Sequence, residues 1–239
     1  DIMLAIDVST SMLAEDLKPN RLEAAKDGAA EFINGRPNDN IGITLFAGET
    51  FTQCPLTVDH AVLLDMIHNI KCGLIEDGTA VGMGIANAVT RLKDSKAKSK
   101  VIILLTDGTN NKGDISPLTA AEIAKSFGIR VYTIGVGTNG MAPYPYPVGN
   151  TVQYVSMPVE IDEKTLTEIA GTTDGNYFRA TSNSKLKEVY EEIDKLEKTK
   201  LNVKEYSKRD EEYHWFALAA FLCVLLEVLL RNSVLKKIP

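Results

Sequence analysis

Hydrophobic positions along this chain fall into two patterns, short continuous runs and stripes with helical spacing. The runs are rich in β-branched residues and predict strands at 2–6, 41–46, 101–105 and 130–136. Between the runs, apolar residues recur with the period of an amphipathic helix. Such helices are expected at 21–33, 61–70, 81–92, 119–127 and 163–170. A further apolar stripe from Leu186 to Leu196 predicts a last helix.

The alternation of strands and helices predicts an α/β fold. The sheet should be Rossmann-like, doubly wound and mostly parallel, with helices on both of its faces. The run 101–105 is apolar throughout, as expected for a central strand that is covered on both sides. Gly48 and Glu49 separate the run 41–46 from a second extended segment at 50–54. This predicts a tight turn and one antiparallel edge strand.

The C-terminal end carries a long apolar stretch. Residues 215–230 are apolar apart from Glu227, which predicts a transmembrane helix at 213–235, with a buried core helix as the alternative. The tail that follows is basic, and short basic segments stay in the cytoplasm, so the globular part should lie outside it. The expected organisation is a domain at 1–199, a linker at 200–212, the membrane helix at 213–235 and a tail at 236–239.

Composition narrows the class of partner. The chain has 239 residues, a formal net charge of -6 and no basic stretch interleaved with aromatic residues, which argues against nucleic acid. It begins at Asp1, inside the first predicted strand and without a signal peptide, so preceding sequence is expected. Cys54 and Cys72 flank one predicted helix. They either pair as a disulfide in an oxidising compartment or remain two buried thiols.

Three separated segments carry hard oxygen donors: D-V-S-T-S at 7–11, G-T at 78–79 and T-D-G at 106–108. The first and last follow strands, and the carboxyl ends of parallel strands meet at one edge of the sheet. Carboxylate and hydroxyl oxygens suit Mg²⁺ or Mn²⁺ better than zinc or copper. We therefore predict a divalent-metal site made by Asp7, Ser9, Ser11, Thr79 and Asp107. Because the hydroxyls are neutral, the ion would keep an open position that a partner carboxylate can fill.

The same residues also have a local explanation. Short polar side chains cap helices and form turns. Under this alternative, Ser9 and Ser11 bind nearby backbone groups, Thr79 caps the helix that follows it, and Asp107 opens a turn. This explains each segment singly, but not their joint position at strand ends.

The order D-x-S-x-S, a separated threonine and T-D-G resembles the metal-ion-dependent adhesion site of von Willebrand factor type A domains. The resemblance extends from Asp1 to about Lys198. It implies that Ser9, Ser11 and Thr79 contact the metal directly or nearly so. It also implies that Asp7 and Asp107 bind the metal directly or through water.

Further stretches resemble the bacterial Bat-type aerotolerance proteins, the BatA group most closely. They are N-R-L-E-A-A at 20–25, F-A-G-E at 46–49, Q-C-P-L-T at 53–57 and G-T-A at 78–80, together with the C-terminal apolar segment. The resemblance implies a protein of the bacterial inner membrane, with further spans before Asp1 and the domain in the periplasm. It also implies other Bat proteins and a MoxR-type AAA+ ATPase as partners.

The segment 137–160 departs from the simplest form of such a domain because it is rich in proline and tyrosine. Tyr144, Tyr146 and Tyr154 offer rigid, amphipathic contact area, and the segment follows a strand that ends at the predicted metal edge. We predict a partner-binding rim there, with an inert surface loop as the alternative.

Catalysis is not expected. Ser9 stands where a dehalogenase-type phosphohydrolase would carry a second aspartate, and the chain has neither a P-loop nor a G-x-S-x-G elbow. No small-molecule substrate is therefore predicted, and the sequence favours a membrane-anchored, metal-dependent protein-binding module. The alternatives are a metal-dependent phosphohydrolase that uses Asp7, and a structural partner of the ATPase whose metal only stabilises the loops.

Overall fold

The computed structural model describes residues 1–149 and 151–206, together with positions 218, 220, 224 and 227. Its strands are β1 (Ile2–Asp7), β2 (Ile41–Phe46), β3 (Thr50–Thr57), β4 (Val101–Thr106), β5 (Arg130–Val136), β6 (Met141–Val148), β7 (Thr151–Pro158) and β8 (Tyr177–Ala180). Its helices are α1 (Arg21–Asn34), α2 (His60–His68), α3 (Val81–Leu92), α4 (Pro117–Ser126), α5 (Glu163–Thr172) and α6 (Asn183–Tyr206). A 3₁₀ turn, Thr10–Leu13, lies between β1 and α1.

The main sheet has six strands in the order β3-β2-β1-β4-β5-β8. Its neighbours pair in parallel except β2 and β3, which are antiparallel. This confirms the mostly parallel α/β fold with one antiparallel edge strand. The predicted strands and helices within residues 2–170 are all present, with ends that differ by three residues at most.

Alternate residues of each central strand supply two separate cores. On β1, Ile2, Leu4 and Ile6 pack on the side of α1, α2 and α6. Met3 and Ala5 pack on the other side, against residues of α3, α4 and α5. Each large aliphatic side chain buried in this way contributes about 1.5–3 kcal/mol. The sheet is therefore packed against helices on both faces, which fixes the positions of the side chains at the ends of its strands.

The carboxyl edge of the sheet has its switch point between β1 and β4. Ile6 is in register with Leu105, so Asp7 and Thr106 stand side by side where the two strands end. The chain leaves β1 for β2 on one side and reaches β4 on the other. Ligands of open α/β sheets bind at such a point.

Two elements were not predicted. The short edge strand β8 extends the sheet beyond β5. The proline- and tyrosine-rich segment 137–160, predicted as a rim or a loop, contains an antiparallel hairpin of β6 and β7 that forms a sheet of its own. Its strands are in register from Met141 with Pro158 to Val148 with Thr151.

The C-terminal predictions lie largely outside the described residues. Helix α6 continues to Tyr206, so the first part of the predicted linker 200–212 is helical. One compact unit spans Asp1–Glu197, close to the predicted domain 1–199. Apart from four helical positions, the predicted membrane helix at 213–235 is outside the described residues. Within the described part of the chain, no helix has the length and apolar character needed to cross a bilayer.

Candidate metal centre

Asp7, the last residue of β1, has a fully buried side chain. Its Oδ1 accepts hydrogen bonds from the backbone N–H of Ser9 at 2.9 Å and from the Ser9 hydroxyl at 2.6 Å. Its Oδ2 accepts one from the Thr106 hydroxyl at 2.6 Å. These three donors are neutral, so they orient the carboxylate without balancing its charge.

A row of oxygen atoms continues from Asp7 across the switch point. The Oγ atoms of Ser9 and Ser11 are 2.9 Å apart, and the Ser11 hydroxyl donates to Asp107 Oδ1 at 2.7 Å. Thr79 lies beside the third segment, since a Cβ added to Gly108 would be 3.4 Å from Thr79 Oγ1. The structure thus brings the residues of all three predicted segments to one edge of the sheet.

The local capping explanation does not account for these side chains. Ser9 stands at the start of the 3₁₀ turn but makes no side-chain cap. The N-cap position of α3 is occupied by Ala80, not Thr79, and no side chain caps this helix. Asp107 binds Ser11 and Arg21 through its two oxygens. The side chains of Ser9, Ser11 and Asp107 therefore bind other side chains. The local backbone contacts are those of Asp7 with the Ser9 N–H and of the Thr106 hydroxyl with the Gly108 N–H.

Arg21 is part of the site although it lies outside the three segments predicted to bind the metal. Its side chain is 4% exposed, and its Nη1 donates to Asp107 Oδ2 at 2.7 Å. Its Nε and Nη2 bind the two oxygens of Asp16, each at 2.8 Å. Asp16 Oδ2 also accepts from the backbone N–H of Thr138 at 2.8 Å. A sequence signal for this ion-pair network is the charged residue Arg21 at the first position of α1, a helix that starts beside the carboxyl edge of the sheet.

The first two segments are tied together by direct hydrogen bonds. Thr10 donates to Asp77 from its backbone N–H at 3.0 Å and from its hydroxyl at 2.7 Å. The Cys72 thiol donates to the backbone oxygen of Ser9 at 3.3 Å. These contacts fix the loop that carries Thr79 against the loop that carries Ser9.

Both cysteines of the described residues are free thiols. Cys54 and Cys72 are not joined in this structure, and their pairing in an oxidising compartment stays a prediction. Cys54 is buried in the core on β3, whereas the Cys72 thiol is engaged by Ser9. Burial, with Asp7 and Asp107 nearby, raises the pKa of Cys72 to about 12, so this thiol stays protonated and unreactive at neutral pH.

The two acids of the site favour a cation. Burial, followed by the charge of Asp107, raises the pKa of Asp7 to about 7. Burial also raises the pKa of Asp107, although Arg21 opposes the shift. Arg21 is shared between the carboxylates of Asp107 and Asp16, whereas Asp7 has only neutral hydrogen-bond donors. A divalent ion would supply the positive charge that this set lacks.

The donor set fits a hard ion better than a soft one. Within the described residues, no group of three or more His, Cys, Asp or Glu side chains could hold a metal by itself, so hydroxyls must take part. Carboxylate and hydroxyl oxygens are the ligands that Mg²⁺ and Mn²⁺ prefer, whereas zinc is more often held by nitrogen and sulfur.

The three predicted contact tyrosines lie on the hairpin. The Tyr154 hydroxyl donates to Glu15 at 3.0 Å, and Pro143 O accepts from the Glu15 N–H at 2.8 Å. These contacts hold the hairpin against the loop before α1, one residue from Asp16. Tyr146 is 57% exposed, whereas Tyr144 is half-buried. A binding role for these tyrosines remains a prediction.

The raised pKa of Asp7 predicts how the response to Mg²⁺ depends on pH. A carboxyl whose folded-state pKa is raised stabilises the fold while protonated, and this contribution is lost as pH rises from about 4 to about 7. Metal binding needs the ionised form, so its stabilising effect should grow over the same range. Melting temperatures with Mg²⁺ and with chelator should diverge between pH 5 and pH 8. An equal difference at both pH values would contradict this.

Comparison with known proteins gives the family context. The chain matches the family model of the von Willebrand factor type A domain over residues 1–192. An uncharacterized protein of Borreliella burgdorferi is 28% identical over the whole chain, which covers 70% of that relative. A UPF0353 protein of Mycolicibacterium paratuberculosis is 32% identical over 79% of the chain, which spans 58% of that relative's length. The names of these relatives do not describe an enzyme.

Several solved protein structures are also similar to this chain. BatB of Bacteroides thetaiotaomicron is 34% identical over 82% of this chain and 98% of its own, with a TM-score of 0.72. An aerotolerance-related membrane protein of Bacteroides fragilis is 34% identical over 81% of this chain and 98% of its own, with a TM-score of 0.70. Proximal thread matrix protein 1 of the mussel byssus, solved with zinc in its metal-ion-dependent adhesion site, is 25% identical. Its TM-score is 0.64, and the match covers 82% of this chain and 45% of that protein.

Proposed function

The chain belongs to the von Willebrand factor type A domain family, and on that premise we propose that it is a membrane-anchored, divalent-metal-dependent protein-binding module of a Bat-type aerotolerance complex. Domains of this family typically mediate metal-dependent protein interactions. The observation that carries the proposal is the row of oxygens from Asp7 through Ser9 and Ser11 to Asp107.

Mg²⁺ or Mn²⁺ is the proposed ion. Ser9, Ser11 and Thr79 would hold it through hydroxyls, with Asp7 and Asp107 binding directly or through water. The ion would supply Lewis acidity and a free coordination position for a carboxylate of the partner protein. Asp7, Ser9, Thr79 and Asp107 are buried, whereas Ser11 is half-buried, so the row is most open to solvent at Ser11. Arg21 keeps Asp107 oriented from behind.

The partners and the location remain proposals drawn from the relatives. We propose other Bat proteins and a MoxR-type AAA+ ATPase as partners, the bacterial inner membrane as the location and the periplasm for the domain. The solved relative with a Bat name is BatB, so the narrower likeness to BatA stays a prediction. The membrane segment at 213–235 and spans before Asp1 are part of the same proposal.

The test is capture of the partner from membranes of cells that express the full-length protein. Crosslinked complexes should be recovered with Mg²⁺ and lost with chelator, because the ion bridges the two proteins. Ser11→Ala, which removes one half-buried hydroxyl, should lower recovery at least about 10-fold. Asp65→Asn, a change at an exposed carboxylate on α2, is the control and should have no effect.

Two outcomes would replace the proposal. Recovery that survives chelation would leave the metal a purely stabilising role in a structural partner of the ATPase. Turnover of p-nitrophenyl phosphate with Mg²⁺, lost in Asp7→Ala, would establish the phosphohydrolase alternative. The full burial of Asp7 and the engagement of both its oxygens speak against attack on a phosphate.

A further inference from the structure

The two outer edges of the hairpin differ in what they offer another strand. β6 carries Pro143, Pro145 and Pro147 at alternate positions, and proline has no amide hydrogen. Pro143 O points away from β7, because it accepts from the backbone N–H of Glu15 at 2.8 Å. The outer edge of β6 therefore lacks donors at these three prolines, and the Glu15 contact occupies one of its acceptors. Such an edge cannot pair with a further strand.

The register places the opposite groups on the outside of β7. Pro143, Pro145 and Pro147 face Ser156, Tyr154 and Val152 in turn. In an antiparallel pair, residues opposite an outward-facing residue also direct their N–H and C=O outward. Among the described residues, no hydrogen bond reaches the backbone amides of Val152, Tyr154 or Ser156. β7 thus presents outward donors and acceptors at these three residues, and only Pro158 at its end lacks an outward N–H.

The side chains of β7 give this edge little protection. All eight residues of the strand are exposed, and none of them carries a charge. Val152, Tyr154, Val155 and Met157 are each between 46% and 61% exposed. Edge strands that remain single are usually blunted by lysine, proline or a bulge. Here β6 carries three prolines on its outer edge, whereas β7 carries one, Pro158, at its last position.

We propose that β7 pairs in antiparallel fashion with β7 of a second copy of this chain, which joins two hairpins into one four-stranded sheet. About a two-fold axis at Tyr154, each Tyr154 faces its counterpart and Val152 faces Ser156. An uncharged strand meets itself without like-charge repulsion, which favours a second copy over a partner chosen by charge. The pairing ends at two copies, because the outer edges of the new sheet are the proline-bearing β6 strands.

The test uses proline as a probe of single amides. Ser156→Pro removes an outward N–H while leaving the contacts between β6 and β7 in place, and Ser156→Ala at the same position keeps that N–H. Sedimentation of the full chain in detergent should show a monomer–dimer equilibrium for the wild type. Ser156→Pro should raise its dissociation constant at least about 10-fold, since both copies lose a hydrogen bond. Ser156→Ala should change it less than about 3-fold.

A second proline variant guards against a misfolded hairpin. Val152→Pro removes another outward N–H at the far end of the strand and should weaken the dimer to a similar degree. A wild-type chain that stays monomeric at about 100 μM, a concentration at which even weak specific pairs form, would overturn the proposal. An unchanged dissociation constant in both proline variants would overturn it as well. A monomer whose β7 edge binds an extended peptide from another protein would identify a different occupant.

Discussion

Asp7→Asn is expected to weaken Mg²⁺ binding strongly while leaving the fold intact. The asparagine oxygen can still accept from Ser9, and its amide can donate to the Thr106 hydroxyl, so the buried hydrogen bonds persist. What is lost is a buried negative charge that the neutral donors around it do not balance. In calorimetric titrations the affinity for Mg²⁺ should fall at least about 10- to 100-fold. Asp65→Asn should bind as the wild type does.

The same variant separates a metal ligand from a structural residue. In the presence of chelator, Asp7→Asn should melt at or above the temperature of the wild type, because an uncompensated buried charge is costly. With Mg²⁺ the order should reverse, since only the wild type is stabilised by the bound ion. A variant that melts far below the wild type in both conditions would show that Asp7 serves the fold and not the ion.

Gly82→Ala is expected to destabilise the domain by about 3 kcal/mol, although alanine usually stabilises a helix relative to glycine. Gly82 is the second residue of α3, and a Cβ there would lie 2.0 Å from the carbonyl oxygen of Ile115. No rotamer relieves a clash between a Cβ and a backbone carbonyl. The helix or the segment before α4 must therefore move, and both flank the metal edge.

Gly171→Ala is the matched control for this prediction. Gly171 is also helical, on α5, and a Cβ added there meets nothing within 4 Å. Its replacement should stabilise the domain by about 0.5–1 kcal/mol. The free energy of unfolding in urea would decide between the two cases. Equal effects at both positions would show that the close approach at Gly82 does not constrain the fold.

The parts predicted from sequence are those with strong local patterns. Continuous apolar runs located the four central strands, and the ends of β1 and β4 then placed Asp7 and Asp107 at one edge. Thr79 was placed by its position before α3. These inferences needed only strand order and the rule that ligands bind at carboxyl ends.

The role of Arg21 and the β6–β7 hairpin were not predicted. The first depends on a contact between residues far apart in the chain, and the second on a turn signal between two extended segments. The role of Arg21 follows from its contact with Asp107, 86 positions further along the chain. The hairpin could have been found, because Val148-Gly149-Asn150-Thr151 joins two extended segments by a Gly-Asn pair. Repeated prolines in β6 argued against a strand, since proline is excluded from paired interiors. They are tolerated because they all lie on its outer edge.

Arg21 also limits how this site can change in evolution. Its guanidinium donates two hydrogen bonds to Asp16 and one to Asp107. Asp16 in turn accepts from the backbone N–H of Thr138, where the chain leaves β5 for the hairpin. A lysine is equally cationic, but its single ammonium cannot hold both acids in this planar arrangement. An arginine-to-lysine exchange, which a sequence comparison would score as conservative, would release both the acid of the proposed metal site and the start of the hairpin.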